Sequence, residues 1–122
     1  MPAKYLEAEV RREAGVAVIE LRGEIDAFAE EALAAAYEEA EAENPETVLL
    51  DFEGVDYINS TGIALIVGLL AKARAAKKRL VACNLSAHYV EIFNITRLSD
   101  FMGVYPNRES ALEEAVVTDG NA

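Results

Sequence analysis

The chain has 122 residues, 52% of them apolar, and a formal net charge of −11. That is long enough for one hydrophobic core and too apolar for a disordered chain. The acidity excludes the clustered cations that nucleic acid and anionic membrane surfaces require.

The charge is unevenly placed. Of 22 carboxylates, 16 lie at or before Asp56, and none falls between Asp56 and Glu91. That interval instead carries Lys72, Arg74, Lys77, Lys78 and Arg79. One cysteine, Cys83, excludes an internal disulfide. With no signal peptide at the start, a cytoplasmic protein is expected. The longest apolar run is about half of the ~20 residues a membrane span needs. No linker or repeat divides the chain, so one domain over residues 1–122 is expected, with a core at about 4–116.

In chain order, Lys4 to Arg12 alternates, with Leu6, Ala8 and Val10 on one side and Tyr5, Glu7 and Glu9 on the other. Period two predicts a strand with one wet face. Val16 to Leu21 follows after Ala14-Gly15, which predicts a hairpin with the first strand at the sheet edge. Gly23 to Asp26 closes the second strand. Asp26 is placed to cap a helix from Ala27 to about Glu43. Phe28, Ala32, Leu33, Ala36 and Ala40 are its expected inward face. Glu38, Glu39, Glu41 and Glu43 crowd its C-terminal half and read as a solvated face, although the helix dipole disfavours them there. Asn44-Pro45 ends it.

Thr47 to Phe52 is expected as a central strand buried on both faces. Asp51 to Asp56 is expected as a charged turn containing Gly54. A helix follows Asn59 and ends near Lys77-Lys78. Leu80 to Cys83 is a further buried strand, parallel to the last by the crossover rule. Ser86 should cap a helix to about Phe93, with one irregular turn at 95–100. Met102 to Tyr105 is expected as a short strand, and Arg108 to about Val116 as the last helix. Residues 118–122 should fray. The sum is an α/β fold: a mixed sheet of about five strands, beginning as a hairpin and continuing parallel, covered by about four helices.

Enzymatic chemistry finds little support. His88 is alone, without acids or thiols at metal-ligand spacing, and reads as a surface or cap residue. Cys83 lies in a buried strand and reads as an inert small hydrophobe. No nucleophile elbow, phosphate-binding Gly-rich loop or dinucleotide fingerprint is present. Asp26, Asp51 and Asp56 lie near strand ends, as Mg²⁺ carboxylates would. A phospho-aspartate site would also need a conjugating Lys after Arg79, and none is there. No catalytic residue, metal or cofactor is expected.

Ser60 and Thr61 stand out. They open a helix whose next ten residues, Gly62 to Ala71, carry no polar side chain. The plain reading is that Asn59 or Ser60 caps the helix. A phosphate on a hydroxyl there would also be well placed, because helix N-termini favour anions. Ile63, Ile66, Val67 and Leu70 form the expected inward stripe. Leu65 and Leu69 should then face water or a partner, as a phosphate-gated interface would need.

In this order and spacing the motifs resemble the STAS domain family, and specifically single-domain bacterial anti-sigma factor antagonists. The residues concerned are Gly23-Glu-Ile-Asp26, Val48-Leu-Leu-Asp-Phe-Glu-Gly-Val-Asp-Tyr-Ile58, Ser60-Thr-Gly-Ile63, Ala82-Cys-Asn-Leu-Ser86, Phe93-Asn-Ile-Thr-Arg-Leu98 and Met102-Gly-Val-Tyr105. The resemblance implies a partner-switching protein. Its unmodified form would bind an anti-sigma factor that is also a serine kinase, releasing a sigma factor. The kinase, using ATP and Mg²⁺, would phosphorylate Ser60, and a phosphoserine phosphatase would reset it. Asp26 would lie beside Ser60. Asn59, Thr61, Gly62, Ile63, Leu65 and Leu69 would belong to the contact surface. The family usually has Asp before the phosphoacceptor; here it is Asn59, which keeps the capping group and loses the charge. Other readings are a scaffold module that is never phosphorylated, or a module that binds a small ligand or nucleotide. The chain would act as a monomer or weak homodimer.

Overall fold

Two residues reverse the chain between the first two strands. Ala14 and Gly15 both take positive φ, 52° and 79°, the conformation of the turn type that matches the twist of a two-residue hairpin. They join β1 (Glu7–Glu13) to β2 (Val16–Ile25) in antiparallel register, Glu13 opposite Val16. The computed structural model describes residues 5–120; Lys4 and residues 121–122, included in the expected first strand and frayed tail, lie outside that range. The remaining elements are α1 (Glu30–Glu41), β3 (Thr47–Ile58), α2 (Ser60–Ala75), β4 (Arg79–Cys83), α3 (Ala87–Ile95), β5 (Gly103–Tyr105) and α4 (Arg108–Gly120). The strands lie in the order β1-β2-β3-β4-β5, and all pairings after the hairpin are parallel. This is the expected mixed sheet. The last helix continues to Gly120 as backbone, past the expected end at Val116.

The sheet separates two apolar layers. One holds Ile19, Leu50, Phe52, Ile66, Leu70 and Phe93, packed beneath α1, α2 and α3. The other is smaller: Val16, Val18, Leu49, Val81 and Cys83 meet Ala111 and Ala115 of α4. The alternation of β2 and β3 therefore serves two cores, which is why neither strand shows a wet face over its first half.

β3 is longer than its apolar run predicts. The stretch Asp51 to Asp56 is strand and not turn. β2 also runs on, and supplies it with a partner as far as Ile25 opposite Ile58. The register shifts twice on the way. Gly54 marks a close approach at that irregularity: a Cβ there would stand 2.4 Å from Arg22 Cγ and 2.9 Å from the Leu21 carbonyl oxygen. Glycine inside a strand reports such contacts as readily as a turn.

The inward face of α1 is Leu33, Ala36, Tyr37 and Ala40. Phe28, expected inside, is 72% exposed. Asp26 does act as a cap, its Oδ1 accepting from the Phe28 N–H at 3.0 Å, but it caps a short 3-10 turn over Ala27–Ala29 that precedes α1. The tighter turn breaks the 3.6-residue phase and swings Phe28 outward. At the other end of α1 the dipole is answered from elsewhere. Arg12 of β1 donates to the carbonyls of Ala40 and Glu39, both at 2.8 Å, and pairs with Glu43 at 2.8 Å. A cation at the helix C-terminus offsets the crowded carboxylates.

Candidate partner-binding site

The ends of β2 and β3 and the start of α2 meet at one edge of the sheet. Asn59 N–H donates to the Ile25 carbonyl at 3.2 Å. Gly62, in the first turn of α2, presses on the same group: a Cβ at Gly62 would stand 2.0 Å from that carbonyl oxygen. Only a residue without a side chain lets the helix start so close to the strand end. This contact holds Ile25, the residue before Asp26, against the start of α2. On α3, Tyr89 steadies the approach, its hydroxyl oxygen accepting from the Ile58 N–H at 2.9 Å. Nothing in the local sequence points to that tie, since a half-buried Tyr in a short helix has many possible partners.

Asn59 is the cap of α2. Its Oδ1 accepts from Gly62 N–H at 2.9 Å, and its carbonyl oxygen accepts from Ile63 N–H at 2.9 Å. Ser60 and Thr61 are then the first two helical residues, both exposed, and neither hydroxyl serves as the cap. Asn59 takes the Gly62 and Ile63 N–H groups, and no acidic side chain lies in the first turn. The positive end of the dipole is thus open to an added anion.

The apolar stripe of α2 is displaced from the expected one. Gly62, Ile66, Leu69, Leu70 and Ala73 are buried, whereas Val67 is 45% exposed. Leu69, expected to face outward, is 5% exposed, and Leu65 is half-buried against the core. The difference comes from α1, which packs beside α2 and covers a flank that a helix on a bare sheet would expose. Between the two helices remains a groove of about 290 Å³, whose lining includes Leu33, Ala34, Ala64, Leu65, Gly68 and Leu69.

Asp51, Asp56 and Asp26 do not converge. Among the described residues no cluster of three metal-capable side chains exists. Asp51 is instead an internal anchor, 3% exposed. It accepts from Arg108 Nε and Nη2 at 3.0 and 2.7 Å, from Asn84 Nδ2 at 3.0 Å and from Glu53 N–H at 3.0 Å. Arg108 also holds Glu20 at 2.5 Å and Glu13 at 3.1 Å. Burial alone would raise the Asp51 pKa. The donors from Asn84, Glu53 and Arg108 outweigh it and hold the carboxyl below its ordinary range. Glu20 is lowered too, first by its bond to Arg108 and then by Arg11. Arg108 is raised in turn, above all by Glu20. The sequence carried a faint signal: an Arg at the start of a helix, where the dipole repels it, needs a buried acid to explain it. Beside this anchor Cys83 is buried, and that burial, with the Asp51 charge, pushes its thiol up to about 12. His88 is exposed next to the Tyr89 ring.

A family model for the STAS domain matches residues 6–111. The chain belongs to the STAS domain family. An anti-sigma-B factor antagonist of Listeria monocytogenes is 32% identical over 82 residues, 67% of this chain and 72% of that protein. Among solved structures, an anti-sigma factor antagonist from Mycobacterium paratuberculosis superposes with a TM-score of 0.72 at 24% identity, covering 89% of this chain and 92% of that one. The Bacillus cell fate determinant SpoIIAA, solved in its phosphorylated form, gives a TM-score of 0.68 at 24% identity over 88% and 98% of the two chains. The five-stranded sheet and four helices of this chain are thus a STAS fold. No helix among the described residues is long and apolar enough to cross a membrane.

Proposed function

We propose that this STAS protein is an anti-sigma factor antagonist, a regulatory binding protein switched at Ser60. The observation that carries the reading is the division of labour at the start of α2. Asn59 does the capping, which leaves the Ser60 hydroxyl exposed at a helix end that favours an anion. The names of its relatives, one of them solved in a phosphorylated form, support the same role.

In this reading the unmodified edge, with Asp26, Asn59, Ser60, Thr61, Gly62 and Ile63, meets an anti-sigma factor that is also a serine kinase. Leu65 borders the contact along the groove, and Leu69 reaches it only as the groove's floor. The kinase attaches the γ-phosphoryl group of ATP to Ser60 Oγ, with ADP leaving and the hydroxyl proton passing to the kinase. The phosphate brings about −1.5 to −2 charges to the edge that carries Asp26. The helix end accommodates it, so the fold persists while the partner is repelled. A phosphatase restores the serine.

The test is intact-mass spectrometry after incubation with ATP, Mg²⁺ and the host's serine-kinase anti-sigma factors, one at a time. One phosphate is expected, and none on Ser60→Ala. Ser60→Asp should abolish binding and leave the circular dichroism unchanged. Binding without phosphate transfer would favour the scaffold reading, for which Asn59 in place of the family's usual Asp is the motivating feature.

A further inference from the structure

Tyr57, near the end of β3, is 50% exposed, and two further aromatic side chains stand in solvent near this edge. Phe28 is 72% exposed and Tyr5 is 67% exposed, and their rings meet edge-to-face at 5.8 Å and 88°. Neither contributes to either buried layer. Phe28 belongs to the 3-10 turn that packs against α2, so the pair adjoins the helix whose first residue is Ser60. Large exposed aromatics in mutual contact cost solvation that folding does not recover; such patches mark interaction sites.

The surroundings are acidic. Asp26 lies two residues before Phe28, and Glu30 and Glu31 follow it, both exposed. Tyr5 borders a surface cleft of about 480 Å³ that also takes in Glu7, Arg22 and Asp56. Arg22, the one cation of that lining, is bound to Glu7 at 3.0 Å. The patch is thus an apolar centre in a carboxylate rim, the layout of an interface core and its rim. A further exposed aromatic, in a cationic setting instead, lies elsewhere: Phe101 is 58% exposed beneath the Arg74 guanidinium, 5.0 Å from its ring centre.

We propose that the Tyr5–Phe28 pair is the apolar anchor of the partner interface, and that it fits an anti-sigma factor face with an apolar recess flanked by arginine or lysine side chains. The proposal rests on the partner-binding reading above and adds which residues hold the partner and what chemistry the partner must present. Rim charges of opposite sign steer the encounter, and the aromatic pair supplies the residence time.

The test is calorimetric titration of the host's serine-kinase anti-sigma factors with the unsubstituted protein, Phe28→Ala, Tyr5→Ala and Phe101→Ala. Phe28→Ala and Tyr5→Ala should each weaken binding, the stronger effect reaching about thirty-fold, as truncation of an anchor does. Phe101→Ala should stay within about two-fold, as a residue outside the interface. In stopped-flow mixing of the same partners, association should slow as salt rises from low ionic strength to about 0.3 M, where the screening length is short. Urea midpoints of all variants should match, because the rings are exposed. If the unsubstituted protein binds and both aromatic variants bind within about two-fold of it, the anchor assignment is wrong while the partner reading stands. An association rate that ignores salt removes the cationic character assigned to the partner. If the unsubstituted protein binds no anti-sigma factor, both readings fall together.

Discussion

Asp51 and Ser60 lie nine positions apart, one within β3 and one just past its end, and the fold treats them in opposite ways. Asp51 is buried and surrounded by donors: a guanidinium, an amide and a backbone N–H. Ser60 is exposed, and the capping task it is suited for belongs to Asn59. A polar group with all its bonds filled internally is a fixture of the structure. One left in solvent at a rigid, dipole-biased position is free to be changed without cost to the fold. β3 thus holds a fixed anchor within it and, in the proposed reading, leads to the switch just past its end.

Breaking the buried half should have the largest effect. Arg108→Ala removes the counter-charge of Asp51 and should cost about 3 kcal/mol, since a buried charge loses its partner; urea denaturation at neutral pH measures it. The same variant should change the acid limb. Asp51 and Glu20 are held below their ordinary values, so the stability they add is present above about pH 4, where the unfolded groups are ionised, and is lost as pH falls through the folded values. Without Arg108 the gain in stability between about pH 2 and pH 5 should shrink, and an unchanged acid limb would show that Arg108 is not its source.

A smaller effect is expected at the turn itself. Asn59→Ala deletes the cap on Gly62 N–H and should cost about 1 kcal/mol in the same assay. It should also loosen the start of α2, seen as faster amide hydrogen exchange over residues 60–63. The smallest effect sharpens the comparison most. Ser60→Ala should lie within about 0.5 kcal/mol of the parent, as expected for a surface hydroxyl with no structural duty. A loss as large as that of Asn59→Ala would mean that Ser60 shares the cap.

Much of this molecule was legible because its elements are set by local rules. Asp26 and Ser86 cap where they were expected to, with Ser86 Oγ accepting from Tyr89 N–H at 3.3 Å. The hairpin and the crossover follow from the period and the spacing of the apolar runs, whereas the strand order comes from the structure. The tail of β3 looked like a turn because its residues are polar, yet β2 continues beside it and pairs with it. Phe28 looked buried because a continuous helix was assumed, and one 3-10 turn changes the phase. Leu69 looked exposed because α1 was not known to lie against that flank of α2. The first and last of these concern what a neighbour distant in sequence supplies, and the second is a local change of helix type.

The sequence by itself determined the caps, the hairpin, the parallel crossovers and the position of a hydroxyl at the start of an apolar helix, since these depend on residues within a few positions of one another. Only the tertiary structure decided the rest. It set α4 alone on one face, tied Arg108 to three acids from three strands, seated Gly62 on the Ile25 carbonyl and left Tyr5 and Phe28 together in solvent. The reason is physical: burial, charge pairing and close packing are properties of neighbours in space, and a chain fixes those neighbours only once the whole sheet has formed.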